Sequence, residues 1–131
     1  MMKIKTLIVY EDGVSALEKS ARSIADHLDP ERHEVKLRPA SEVTIPELLA
    51  GKLYFFGATT PESPSLRELA RVLAGVNLAG RRALYFGSSQ AAVAWLKKMT
   101  ADSELAAKGS DLVAAEAESG AVKAWLKSIA Q

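Results

Sequence analysis

The sequence predicts an α/β three-layer sandwich built on a five-stranded parallel sheet, and three observations carry that prediction. Short apolar runs of strand length recur along the chain, each followed by a helical pattern, at a spacing of roughly thirty residues that fits βαβ units with right-handed crossovers. The runs at Lys3–Tyr10, Lys52–Gly57 and Arg82–Gly87 are apolar nearly throughout, as strands covered on both faces are. A chain of 131 residues, 48% of them hydrophobic, has enough apolar material for one core and no room for a second domain, so residues 1–131 are read as one unit.

The elements follow in order. KIKTLIVY (Lys3–Tyr10) is β-rich and reads as a central strand. From Ser15 onward Leu17, Ala21, Ile24, Ala25 and Leu28 recur every three or four residues, an amphipathic helix that stops before Asp29-Pro30. Glu34–Arg38 is a second strand closed by Pro39, and SEVTIPELLAG (41–51) reads as a loop with one helical turn interrupted by Pro46. KLYFFG (Lys52–Gly57) is the third strand. After the loop ATTPESPS, Leu66, Leu69, Ala70 and Leu73 share a helix face, and GVNLAGRR leads into the fourth strand, RALYFG (Arg82–Gly87). Ser89–Met99 forms a helix with Val93 and Leu96 inward. Asp111–Ala115 is a weaker fifth strand, and Ala121–Ala130 a closing helix with Val122, Trp125, Leu126 and Ile129 on one face.

Composition excludes several function classes. Seventeen basic and sixteen acidic residues are scattered to a net charge of +1, with no single-sign block to meet nucleic acid or a membrane surface. The chain has no cysteine, which removes disulfides, thiolate catalysis and Cys-ligated metal centres. His27 and His33 are the two histidines; a helix-terminal cation and a solvated side chain account for them, and no Ser/His/Asp arrangement is visible. MMKIKTLIVY is too short for a signal-peptide core and lacks a small-residue cleavage site, so a soluble, cytoplasmic protein is expected.

In a doubly wound sheet, ligands bind beyond the carboxyl ends of the strands. Three loops meet there: Glu11–Ala16, Ala58–Ser65 and Ser88–Ala91. The first runs into a helix N-terminus, whose free N–H groups and dipole favour an anion. Ser15 with Glu18 also fits a capping box, which explains the same residues without a ligand, and Glu11 and Asp12 oppose a dianion unless turned away. An acidic pair after a first strand suggests a phosphoacceptor site of the response-regulator kind. That site needs an Asp after the third strand and a Lys after the fifth, where Gly57-Ala58 and Ala115-Glu116-Ala117 stand instead. Glu116 and Glu118 could pair as acid and base after the fifth strand, though a solvated helix start favoured by negative charge accounts better for them. Tyr54, Phe55, Tyr85 and Phe86 lie within strands and are assigned to the core, as are the helix tryptophans Trp95 and Trp125, partly exposed.

Over essentially its whole length the chain resembles the flavodoxin family. KTLIVYEDGVSALEKSARSIADHL resembles that family's first strand, phosphate loop and helix, GKLYFFGATTPESPSLRELARVL its third strand and first flavin loop, and RRALYFGSSQAAVAWL its fourth strand and second flavin loop. AVKAWLKSIA is similar to its closing helix, and Gly57 and Gly87 are the most specific points of likeness. The resemblance implies strand order 2-1-3-4-5, FMN as cofactor and one-electron transfer to a protein partner rather than catalysis on a substrate. It places cofactor contacts at Asp12, Gly13, Val14, Ser15 and Ala16, at Thr59, Thr60 and Pro61, and at Ser88 and Ser89. The family's phosphate loop, T/S-x-T-G-x-T, is degenerate here: its hydroxyl positions hold Asp12, Val14 and Leu17, its glycine position Ser15. Neither later loop carries an aromatic to stack on a flavin, and a net charge of +1 lacks the family's acidic surface. The alternative is a flavin-less module of the same fold that binds another small molecule or a protein partner.

Overall fold

The computed structural model describes residues 3–61, 63–101, 103–107, 111–114 and 119–128. Its central strand is β3 (Leu53–Ala58), apolar throughout and buried at every residue, as the sequence of LYFFGA requires of a strand covered on both sides. It lies between β1 (Ile4–Tyr10) and β4 (Arg82–Gly87), and β2 (His33–Pro39) pairs with the other side of β1. All pairs are parallel, and the sheet order is β2-β1-β3-β4-β5, as expected.

The fifth place in the sheet is shared. β5 (Ala106–Ala107) pairs with the start of β4 at Arg82 and Ala83, and β6 (Leu112–Val113) with its end at Phe86 and Gly87. The expected strand Asp111–Ala115 therefore covers only the second piece, and its Ala115 lies outside the described residues. The first piece carries alanines without β-branched or aromatic neighbours, so no strand pattern marks it.

Helices cover both faces. α1 (Ser15–His27) and α5 (Ser119–Ser128) pack over Ile8, Tyr10, Phe55, Leu84 and Phe86. α3 (Pro64–Ala74), α4 (Gln90–Ala101) and the short α2 (Ile45–Ala50) cover Leu7, Val9, Tyr54, Phe56 and Tyr85. The strand aromatics are core residues, as assigned from sequence. Phe56 stacks with Tyr54 at 6.0 Å and with Tyr85 at 6.2 Å, and Phe55 meets Trp125 edge-on at 5.8 Å. Trp95 is half-buried against the core face that holds Leu7, Tyr54 and Phe56, while Trp125 is 6% exposed. Ile129 and Ala130, expected at the end of α5, lie outside the described residues.

Two local expectations are corrected. His33 is not solvated: it begins β2, is 7% exposed, and its Nδ1 is hydrogen-bonded to the buried Thr6 hydroxyl at 2.9 Å. The neighbouring strand supplies a polar partner that a local reading of the chain does not contain. In the segment 41–51, Pro46 does not interrupt a helix but sits in the first turn of α2, where its missing N–H leaves no bond unmade. Thr44 caps that turn in a reciprocal box with Glu47, and a separate 3₁₀ turn, Ala40–Glu42, precedes it. Burial alone pushes the Glu47 carboxyl up, but the Thr44 N–H and the Arg38 guanidinium, 2.9 Å away, more than reverse this and hold it below the ordinary carboxylate value.

Candidate functional site

Register brings the three loops together. Tyr10 pairs with Gly57, Gly57 with Phe86 and Ala58 with Gly87, so β1, β3 and β4 end side by side. The two strand-end glycines are demanded by packing. A Cβ at Gly57 would stand 2.3 Å from two ring carbons of Phe86, and one at Gly87 would stand 2.5 Å from the Ala58 carbonyl oxygen.

The first loop turns through Gly13 at φ +78°, a left-handed conformation that L side chains rarely adopt. Val14 then holds extended angles, φ −113° and ψ 101°, and is itself the N-cap of α1. Ser15 is therefore already helical, and the expected capping box of Ser15 and Glu18 does not form. No side chain caps α1, and Glu18 instead pairs with Arg22 at 3.3 Å. The N-cap residue thus supplies no side-chain acceptor to the first-turn N–H groups, those of Ser15 to Leu17, and none is seen among the described residues.

Both acids of this loop are turned to internal partners. The Asp12 carboxylate accepts from the Ser41 N–H at 3.0 Å and from the Ser41 hydroxyl, tying the loop to the 3₁₀ turn. Asp12 N–H donates to the Ser65 hydroxyl at 3.3 Å. Glu11 is 7% exposed, and one oxygen, Oε1, accepts from Thr59 N–H at 2.8 Å, the Thr59 hydroxyl at 3.0 Å and Thr60 N–H at 3.1 Å. The nearby Tyr10 phenol is pushed up by burial and further by the Glu18 carboxylate.

The remaining contacts named from sequence divide in the same way. Ser88 donates its hydroxyl to the Thr59 carbonyl at 3.2 Å, so Glu11, Thr59 and Ser88 link all three loops. Ser89 accepts from Ala92 N–H at 3.2 Å and thus caps α4. Thr60 and Pro61 are exposed at the loop surface. Of the ten residues, Gly13, Val14, Ser15 and Ala16 form the uncapped turn, while Asp12, Thr59, Thr60, Ser88 and Ser89 have hydrogen-bonding groups engaged within the protein.

Sequence reasoning missed Ser41 and Ser65 as partners of Asp12, and it named Glu11 only as a charge, not as the tie between two loops. It also missed Ser63, the N-cap residue of α3, which is 8% exposed, makes no cap bond and whose hydroxyl lacks a partner. No spacing rule joins positions 29 or 48 residues apart. Among the described residues no group of three or more His, Asp or Glu side chains is placed to hold a metal, and Glu116 and Glu118 lie outside them. No described helix is long and apolar enough to cross a membrane. A separate cavity of about 50 Å³, lined by Lys5, Leu7, Glu34, Lys36 and Glu47 among others, sits away from the three loops beside α2.

Compared by sequence, the chain matches no family model and no curated protein. Compared by structure, it is similar to the flavodoxin of Streptococcus pneumoniae TIGR4, with a TM-score of 0.81 at 16% identity over 95% of this chain and 97% of that one. Flavodoxin 2 of Bacillus cereus gives 0.80 at 22% identity over 95% and 97%, and an archaeal flavodoxin 0.77 at 13% identity over 96% and 99%. The full-length correspondence, with the same five-place parallel sheet and helices on both faces, means that this chain has the flavodoxin-like fold.

Proposed function

We propose that the protein binds FMN at the carboxyl end of its sheet, with the phosphate against the N-terminus of α1, and serves as a flavodoxin-like electron carrier. The observation that carries this reading is the uncapped start of α1, approached through Gly13 at φ +78°. Backbone N–H groups at a helix start, reinforced by the helix dipole, bind phosphate without needing side-chain hydroxyls. Gly13, Val14, Ser15 and Ala16 fit the phosphate end of the group in this way, and a Cβ at Gly13 would meet nothing within 4 Å beyond its chain neighbours. When bound, FMN would supply the one-electron chemistry. This chain's own residues would orient the phosphate and shield one end of the flavin from water. The loops offer no aromatic to stack on the ring, so affinity rests chiefly on the phosphate. A net charge of +1 gives no long-range steering toward a redox partner, whose association should respond weakly to salt.

A second reading, a flavin-less module of the same fold, is favoured by one specific observation. Glu11 already engages the Thr59 and Thr60 donors that would otherwise face a ligand. Titration separates the two. Purified protein mixed with FMN should quench its fluorescence and shift its visible absorption, with half-saturation at or below about 10 μM, roughly 7 kcal/mol of binding. No binding at several times that concentration would remove the electron-carrier reading and leave the flavin-less one.

A further inference from the structure

We propose that Glu11 is a built-in anionic competitor that weakens binding of phosphate-bearing ligands at the loop end and sets the preference between FMN and an uncharged flavin. This rests on reading the carboxyl end of the sheet as a flavin-phosphate site. Glu11 directly follows β1, two residues before Gly13, and its buried carboxylate bridges to the loop that follows β3. One oxygen takes three donors, two N–H groups and a hydroxyl, which is the coordination a loop of this kind would offer a ligand oxygen.

Two effects follow from that geometry. The donors of Thr59 and Thr60 are unavailable to a ligand while Glu11 holds them. In addition, a buried negative charge at the mouth between the first two loops repels each charge of a phosphate dianion, and burial limits its screening by salt. Riboflavin, with the same ring and no phosphate, escapes the second effect. Asp12 is no equal competitor, because its carboxylate is directed to Ser41 at the 3₁₀ turn.

The test is isosteric. In Glu11→Gln the amide oxygen still accepts from Thr59 and Thr60, so the loop tie survives while the charge is lost. FMN, riboflavin and inorganic phosphate are titrated against wild type, Glu11→Gln and Glu11→Asp, with the urea midpoint of each variant recorded. Glu11→Gln should bind FMN at least about tenfold tighter while riboflavin changes less than about twofold, and Glu11→Asp, which keeps the charge but shortens the reach to Thr59 and Thr60, should not tighten FMN more than riboflavin. Equal FMN affinity in wild type and Glu11→Gln would overturn the role of Glu11 and leave the FMN reading standing. Equal tightening for riboflavin would show loop opening rather than charge, and would also overturn it. If no flavin binds to any variant, the FMN reading fails. Amide NMR shifts of residues 13–17 on phosphate addition then decide for Glu11: movement in Glu11→Gln but not in wild type supports it, and movement in neither overturns it.

Discussion

Replacing Gly57 by alanine should destabilise the protein by about 2 kcal/mol, and the structure states which atoms cause it. The new Cβ would stand 2.3 Å from both Cε2 and Cζ of Phe86 and 2.9 Å from Cε1. Carbon atoms pack best at about 3.5–4.0 Å, so the overlap exceeds roughly 1 Å. The ring has nowhere to go, being 1% exposed and enclosed with Phe55, Trp125 and Val122. Overpacking costs about 1–3 kcal/mol, and a forced ring displacement belongs at the upper end. Against this stands the roughly 0.5–1 kcal/mol that alanine gains over glycine within a strand. The difference shifts the urea midpoint by about 1 M for a slope near 2 kcal/mol/M. A second background isolates the cause. Leucine at position 86 has none of the three clashing ring atoms, so Gly57→Ala introduced into Phe86→Leu should be neutral or slightly stabilising. The same midpoint loss in both backgrounds, or none in either, refutes the packing argument. Gly87→Ala should behave differently, because its clash at 2.5 Å is with the Ala58 carbonyl, a backbone atom that no side-chain truncation removes.

The start of α1 and that of α2 make opposite predictions. Thr44→Ala should cost about 0.5–2 kcal/mol by urea unfolding, since Thr44 caps α2. Ser15→Ala should stay within about 0.5 kcal/mol, since its hydroxyl caps nothing; a loss matching that of Thr44 would return the cap to Ser15. Alkaline stability tests the buried phenols. Burial pushes Tyr54 from 10.0 up to about 12, its hydroxyl donating to the Leu48 and Gly51 carbonyls. The unfolded chain releases that proton near pH 10.0 while the folded chain keeps it to about 12. Stability is therefore full below the lower value and falls toward the higher, by up to about 1.4 kcal/mol per pH unit. Tyr54→Phe should flatten that fall, and an unchanged slope would refute the assignment.

Most of the fold was legible because it rests on features local to each segment. The apolar runs of β1, β3 and β4 and the helical stripes of α1, α3 and α4 each declare their own buried faces, and parallel pairing follows from their alternation. What failed was what depends on a neighbour. His33 is buried because Thr6, on the adjacent strand, offers it a hydroxyl. β5 exists because Arg82 and Ala83 present an open strand edge to two alanines with no strand signature of their own.

The site shows the same division at higher resolution, and there it changes the chemistry. A capping motif gives residue types three apart but not which residue holds the last non-helical angles. Gly13 at φ +78° is followed by Val14 in that position, and a shift of one residue turns Ser15 from cap to first helical residue, leaving the helix with an N-cap side chain that cannot cap it. Composition likewise shows two acids beside that N-terminus but not their directions. Asp12 reaches across 29 positions to Ser41 and fixes the loop; Glu11 reaches across 48 to Thr59 and occupies the donors of the next one. The same turn therefore exposes one set of N–H groups and closes another. Whether a phosphate settles there depends on the balance between open amides at Ser15 to Leu17 and one buried carboxylate, a balance that a single change of charge at position 11 should tip.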